Sequence, residues 1–177
     1  MPPPQPNSSS VAIAILAEAP VPGAAKPRLI PLLGAHAAAT LQERLTERAV
    51  ATAIAANTGP LTLWCSPDAT HESFLKLVTR LPITLKTQVK GDRGARIFAA
   101  AASAGGPVIV IGTDCPALTH VHIRAAATAL QEGTEIILIP AEDSDYVLIG
   151  MQKPDAALFS NMPWGTGKVI TETRARS

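Results

Sequence analysis

The sequence predicts an α/β protein built on a mixed, mainly parallel sheet, and three observations carry that expectation. From Val11 onward, short apolar runs rich in β-branched residues alternate with stretches of helical periodicity. One run, Val108–Ile111 (VIVI), holds no polar residue, as expected of a central strand covered on both faces. The last two runs are separated only by Ala141–Asp145, whereas a parallel crossover needs about a dozen residues or more. The sixth strand is therefore expected to run antiparallel to the fifth.

Each element has its own signals. Val11–Ala17 reads as the first strand, bounded by Pro20 and Pro22. Glu18–Leu33 carries four prolines and is expected as a long loop ending near Gly34. Ala35–Asn57 has Leu41, Leu45 and Ile54 among Gln, Glu and Arg, the pattern of an amphipathic helix stopped by Asn57 and Gly59. Leu61–Cys65 is the second strand, followed by a helix over Pro67–Arg80 with Phe74, Leu77 and Val78 on one face. Ile83–Val89 alternates as a third strand, and Asp92–Ala104 is a third helix closed by Gly105-Gly106. Thr119 can cap a fourth helix running to Glu132, with Gly133 as its stop. Ile136–Ile139 and Tyr146–Met151 complete the strands. No internal repeat is visible.

Composition narrows the class. The chain has 177 residues, 47% hydrophobic and 16% charged, which fits one globular domain and is too apolar for a disordered chain. Lys and Arg total 15 against 14 Asp and Glu, so no global field draws nucleic acid or an anionic membrane. Two cysteines, Cys65 and Cys115, exclude a disulfide framework and an all-cysteine zinc site and suit a cytoplasmic setting. Met1–Ser10 (MPPPQPNSSS) is expected as a disordered tail, leaving residues 11–177 as the domain. No positive side chain precedes the short apolar run after it, which disfavours a signal peptide. No stretch approaches the ~20 apolar residues needed to span a bilayer.

In open α/β sheets, ligands bind beyond the carboxyl ends of the strands, at a topological switch point. Three polar clusters fall at strand ends. The first follows strand one, where Lys26 offers a point charge and Arg28 a planar fork suited to phosphate oxygens. Gly23 would let backbone approach a ligand there, although an ordinary solvated loop has the same composition. The second is Gly112-Thr113-Asp114-Cys115-Pro116, where a short carboxylate after a buried strand could hold magnesium beside a phosphate. Capping of a turn by Thr113 or Asp114 is the alternative, and Cys115 reads as structural. The third sets Glu142, Asp143 and Asp145 within four positions, either a cationic or metal site or an exposed acidic hairpin. A weaker signal is Gly91–Arg96, opening a helix whose free N–H groups can meet an anion. His120 and His122, two apart on a helix, are not a metal pair.

These runs together resemble a known family. A-P-V-P-G-A-A-K-P-R-L, G-D-R-G-A-R, I-G-T-D-C-P-A-L-T, P-A-E-D-S-D-Y-V-L-I-G and P-W-G-T are similar, in order, to motifs of the bacterial transferases associated with radical-SAM and selenium-domain genes. Members of that family are labelled glycosyltransferases of arsenosugar biosynthesis. The resemblance implies a three-layer αβα fold of the GT-A kind, a nucleotide-diphospho-sugar transferase acting with Mg²⁺ or Mn²⁺. It implies that Ala19, Pro20, Gly23, Lys26 and Arg28 cradle the nucleotide, with Asp92 and Arg96 beside it. Asp114 would hold the metal, with Glu142 and Asp143 as further catalytic carboxylates. Tyr146, Trp164, Gly165 and Thr166 would line the acceptor side.

Some residues depart from the family pattern. Pro27 replaces a threonine, Glu18 stands where a lysine is usual, and Ser144-Asp145 replaces two glycines. The resemblance also implies a further acidic motif after residue 177, so the chain is expected to lack the family's last segment. The implied activity is transfer of a sugar from a nucleotide-diphospho-sugar to a small acceptor. Two alternatives share the phosphate-binding loop: a nucleotidyltransferase joining a nucleoside triphosphate to a phosphorylated small molecule, and an inactive, truncated nucleotide-binding relative.

Overall fold

A computed structural model describes residues 10–142, 145–164 and 166–177 of the chain. The expected tail therefore lies outside the described residues, apart from Ser10, which is exposed. Six strands form one sheet: β1 (Ala12–Glu18), β2 (Leu61–Ser66), β3 (Thr84–Thr87), β4 (Val108–Ile111), β5 (Ile136–Pro140) and β6 (Tyr146–Met151). Their order is β3-β2-β1-β4-β6-β5. The first four pair in parallel, and β6 runs antiparallel to both β4 and β5. β6 lies between its two partners, so the short β5–β6 connection yields a hairpin whose second strand closes onto the parallel part of the sheet.

The period of two along β1 divides the interior into two cores. Ile13, Ile15 and Ala17 point to a face covered by α2 (Ala35–Ala56), α3 (Glu72–Arg80) and α5 (His120–Gln131). Ala14, between them, joins Ile97 and Ala101 of α4 (Arg93–Ala102) on the other face. That second face is completed by Leu158, Phe159 and Val169. The result is three layers, helix–sheet–helix. Ile13, Ile15, Ile109 and Ile111 are each no more than 2% exposed, and each such burial contributes about 1.5–3 kcal/mol. All four residues of β4 are buried, as their unbroken apolar run requires.

Several boundaries shift for local reasons. The 18–33 segment is not an unbroken loop: it holds a 3₁₀ turn at Pro27–Leu29 and the short helix α1 (Ile30–Leu33). Pro27 and Pro31 each stand in a first turn, where the missing N–H is no loss. α3 begins at Glu72 rather than Pro67. Asp68 turns the chain by accepting from the Thr70 N–H at 2.8 Å, and the ring of His71 then caps the helix by accepting from Ser73 N–H. β3 is shorter than the alternating run, and just past its end the Gln88 N–H still donates to the Cys65 carbonyl at 2.8 Å. Residues 156–176 add a 3₁₀ turn (Ala156–Leu158) and α6 (Val169–Arg176), for which no sequence signal was read. Among the described residues, no helix is long and apolar enough to cross a membrane.

From β1 the chain steps outward to β2 and β3, then returns to place β4 on the other side of β1. The order thus reverses between β1 and β4, and the gap beyond their carboxyl ends is the switch point where α/β sheets bind ligands.

Candidate active site

Glu18 closes β1 and Gly112–Asp114 follow β4, so both chain segments open into that gap. A hollow of about 420 Å³ lies there, walled also by Lys26, Gln88, Arg93, Arg96 and Tyr146. The sequence brings these together from both halves of the chain because parallel strands deliver their carboxyl ends to one edge.

Lys26 and Asp114, 88 positions apart, form an ion pair across the hollow. Lys26 is held in the left-handed region, φ 50°, at the start of the Pro27 turn, and its side chain is 16% exposed. The Asp114 side chain is 76% exposed, so one face of its carboxylate stays open to solvent. Behind it runs a chain of polar groups. The amide of Gln42, 1% exposed on α2, donates to the hydroxyls of Thr46 and Thr113 at 3.2 Å each. The Thr113 hydroxyl accepts from Gln42 and donates to the Asp114 carboxylate at 3.3 Å.

On the facing wall, Arg96 is oriented by three acceptors. Its Nε donates to the Gly91 carbonyl at 3.1 Å, and its Nη1 lies 3.4 Å from Gln88 Oε1 and 3.6 Å from Glu18. Gln88 is anchored in turn, its amide donating to the carbonyls of Ala17 (3.1 Å) and Trp64 (2.9 Å). Glu18, standing where the related motif has a base, thus partners Arg96. Asp92 accepts from Ala95 N–H at 2.9 Å as the N-cap of α4 and does not line the hollow.

Arg93 joins the hollow to the hairpin. Its Nη1 meets the Asp145 carboxylate at 3.1 Å, and its guanidinium lies over the Trp164 ring with 5.3 Å to the centroid. Asp145 therefore serves a protein cation. Tyr146 stands edge-on to Trp164, ring centres 5.9 Å apart. Burial pushes the Tyr146 hydroxyl well above its ordinary pKa despite the opposing charge of Arg93. Its hydroxyl and the Trp164 indole N–H are buried without a protein partner among the described residues.

A second hollow, of about 930 Å³, lies between the 19–29 loop and α2. It shares Glu18, Lys26, Gln42 and Asp114 with the first. Ala19 and Arg28, expected around a nucleotide, line this second hollow, while Pro20 and Gly23 line neither. Glu142 is exposed, as is Thr166, and neither lines a hollow. Asp143 and Gly165 lie outside the described residues.

Among the described residues, no group of three or more His, Cys, Asp or Glu could enclose a metal ion. The donor set fits a different kind of site: one open carboxylate, Asp114, beside cations suited to phosphate. Magnesium is commonly held that way, by one or two carboxylates together with ligand phosphates and water.

Two wall residues, Gln42 and Gln88, carry no sequence signal, and two more, Arg93 and Thr113, stand in candidate runs without a wall role assigned to them. Gln42 sits in a helix among Glu and Arg, and only the crossing of α2 over the β4 loop buries it. Gln88 ends an alternating run and looks like a surface polar residue. Arg93 resembles a solvated first-turn base, and Thr113 was read as a possible turn cap. Gln88, Arg93 and Thr113 lie beside or within the Gly91 and Asp114 runs, whereas Gln42 is far from both in sequence.

Comparison with known proteins agrees with the fold. A family profile described as "Uncharacterized protein conserved in bacteria (DUF2064)" matches residues 49–166. No curated protein gives a significant match. The crystal structure of a "putative nucleotide-diphospho-sugar transferase" from Desulfovibrio desulfuricans G20 superposes with a TM-score of 0.82 at 24% identity, over 93% of this chain and 74% of that one. The 4-diphosphocytidyl-2C-methyl-D-erythritolsynthase of Anaerococcus prevotii DSM 20548 superposes with a TM-score of 0.56 at 13% identity, over 96% of this chain and 84% of that one. At these identities the likeness establishes a shared fold.

Proposed function

This chain belongs to that bacterial family, DUF2064, and on that premise we propose that it is a glycosyltransferase using a nucleotide-diphospho-sugar. The observation that carries the reading is the pairing of Lys26 with Asp114 at the β1/β4 switch point of a fold shared with a nucleotide-diphospho-sugar transferase. A cation and a carboxylate in contact, both lining one hollow, suit a diphosphate and its divalent metal.

In this proposal Lys26 and Arg96 neutralise the diphosphate, and Asp114 with the phosphate oxygens holds Mg²⁺ or Mn²⁺. The metal would supply charge stabilisation to the departing diphosphate. Gln42 and Thr113 keep the Asp114 carboxylate turned toward it. Glu142, Tyr146, Trp164 and Thr166 would stand on the acceptor side. The setting is cytoplasmic, consistent with free Cys65 and Cys115.

Nucleotidyl transfer is a second reading, favoured by the likeness to the cytidylyl enzyme. The two differ in the leaving group. With Mn²⁺, a panel of nucleotide sugars should yield free nucleoside diphosphate in the first case. A panel of nucleoside triphosphates with a phosphorylated acceptor should yield pyrophosphate in the second. Asp114→Ala should abolish whichever product forms while the melting temperature holds. Product formation unchanged in that variant would contradict the role of Asp114.

A further inference from the structure

The three bases on the wall of the switch-point hollow are each matched to an acid. Lys26 pairs with Asp114, Arg96 reaches Glu18 at 3.6 Å, and Arg93 meets Asp145 at 3.1 Å. A bare diphosphate would gain Lys26 only by setting its own charge against the carboxylate that Lys26 leaves. A divalent cation alone would meet a carboxylate whose charge the ammonium already offsets. Resting on the transferase reading above, we propose that the site takes its diphosphate as the metal complex, and that Lys26 keeps the metal's place at Asp114 until phosphate draws it away.

Lys26 is the base built to change partner. Arg96 is fixed by the Gly91 carbonyl at 3.1 Å and by Gln88 as well as by Glu18, and Arg93 lies between Asp145 and the Trp164 ring. The Lys26 ammonium has Asp114 as its one partner among the described residues. Its backbone is held, because Leu29 N–H donates to the Lys26 carbonyl at 2.9 Å and Pro27 follows directly. The exchange therefore needs only rotation of the flexible four-carbon stem, with no change of fold.

Asp114 stays where it is. Thr113 donates to its Oδ1 at 3.3 Å and is anchored in turn by the Gln42 amide at 3.2 Å. The ammonium meets the same oxygen, which leaves Oδ2 without a protein donor among the described residues on a side chain 76% exposed. Charge balances through the exchange. The diphosphate of a nucleotide sugar carries one negative charge on each phosphate, and a divalent cation cancels both. A neutral complex thus enters a wall whose charges already cancel. Lys26 ends on a phosphate oxygen and Asp114 on the metal, with no covalent bond changed and no proton moved.

Calorimetric titration of the full chain with Mn²⁺ alone, with nucleoside diphosphates in chelator, and with nucleoside diphosphates in Mn²⁺ tests this. Lys26→Met keeps the stem and removes the charge, so it should bind Mn²⁺ alone about tenfold more tightly than wild type. Lys26→Arg keeps the charge and should hold the wild-type Mn²⁺ affinity. The nucleotide titrations separate a place-holder from an ordinary phosphate ligand. Lys26→Met should weaken the Mn²⁺–nucleotide complex about tenfold, yet change metal-free nucleotide binding less than about threefold, because Asp114 already occupies Lys26 there. Lys26→Gln is read in the same way should the methionine variant unfold. Equal Mn²⁺ affinities in wild type and Lys26→Met would overturn the proposal, as would equal losses in the two nucleotide titrations. Tighter Mn²⁺ binding by Lys26→Met in a chain that binds no nucleotide would uphold the place-holder and overturn the transferase reading.

Discussion

Cys65 lies at the inner end of β2 with no exposed surface, and burial, aided by the charge of Asp68, pushes its thiol up to about 12. Cys115, half-buried after β4, has access to solvent. At pH 8 a thiol reagent should therefore titrate one cysteine in the native chain and two after unfolding. Two fast thiols in the native chain would contradict the burial of Cys65. The sign of the linkage follows. Below the ordinary value of 9.0 both native and unfolded thiols stay protonated, and from there up to about 12 the unfolded thiol ionises first. This residue should thus lower stability progressively across that alkaline window, and Cys65→Ala should flatten the decline. Single residues were legible where their chemistry is unusual for their setting. Lys26 and Asp114 stood out as charges after strands, and Arg96 as a charge in a run that opens a helix. Their partners did not, because Gln42 and Gln88 become special only once folding removes water from them. The Lys26–Asp114 contact joins positions 88 apart, a separation that local pattern does not reach.

Helix α4 shows how an element positions the site. Its N-terminus presents Arg93 and Arg96 to the hollow, and its start is fixed by Asp92. Asp92→Ala should cost about 0.5–2 kcal/mol in denaturant unfolding and loosen both arginines. Its second residue is tighter still. A Cβ on Gly94 would stand 2.5 Å from the Phe159 carbonyl oxygen, a backbone atom that cannot swing away. Alanine is the better helix former by about 0.8–1 kcal/mol, so on propensity alone Gly94→Ala would stabilise. Overpacking against the 156–162 segment should win, leaving a net loss of about 1–3 kcal/mol. A melting temperature equal to or above wild type would show that the segment does not pack as described. Elements with strong caps were legible: α5 between Thr119 and Gly133, and α2 closing at Asn57 in the left-handed region. The start of α3 was not, since Asp68, Thr70 and His71 settle it through side-chain bonds among themselves and with the chain. α6 carries a weak apolar pattern, and only its docking of Val169 into the second core identifies it.

At the scale of the whole molecule, loop length alone implied the mixed sheet, the alternation of strands and helices implied a mainly parallel α/β sheet, and the family resemblance implied three layers. The insertion of β6 between β4 and β5 was not implied, because an antiparallel hairpin can add its second strand on either side. That insertion brings Tyr146 to the hollow and the hairpin's Asp145 to Arg93. Parallel pairing of β1 with β4 then sets the segments that follow them side by side, so that Lys26 and Asp114 meet beyond their carboxyl ends. The account stands on that meeting place being a site for a metal-bound diphosphate. Thermal denaturation of the wild-type chain with Mn²⁺, with nucleoside diphosphates, and with both together tests it most directly. One base should raise the melting temperature by several degrees only when the metal is also present, as ligand linkage requires. Asp114→Ala, with the same unliganded melting temperature, should show no such rise. No stabilisation of wild type by any nucleotide with metal, or the same stabilisation in Asp114→Ala, would contradict the account.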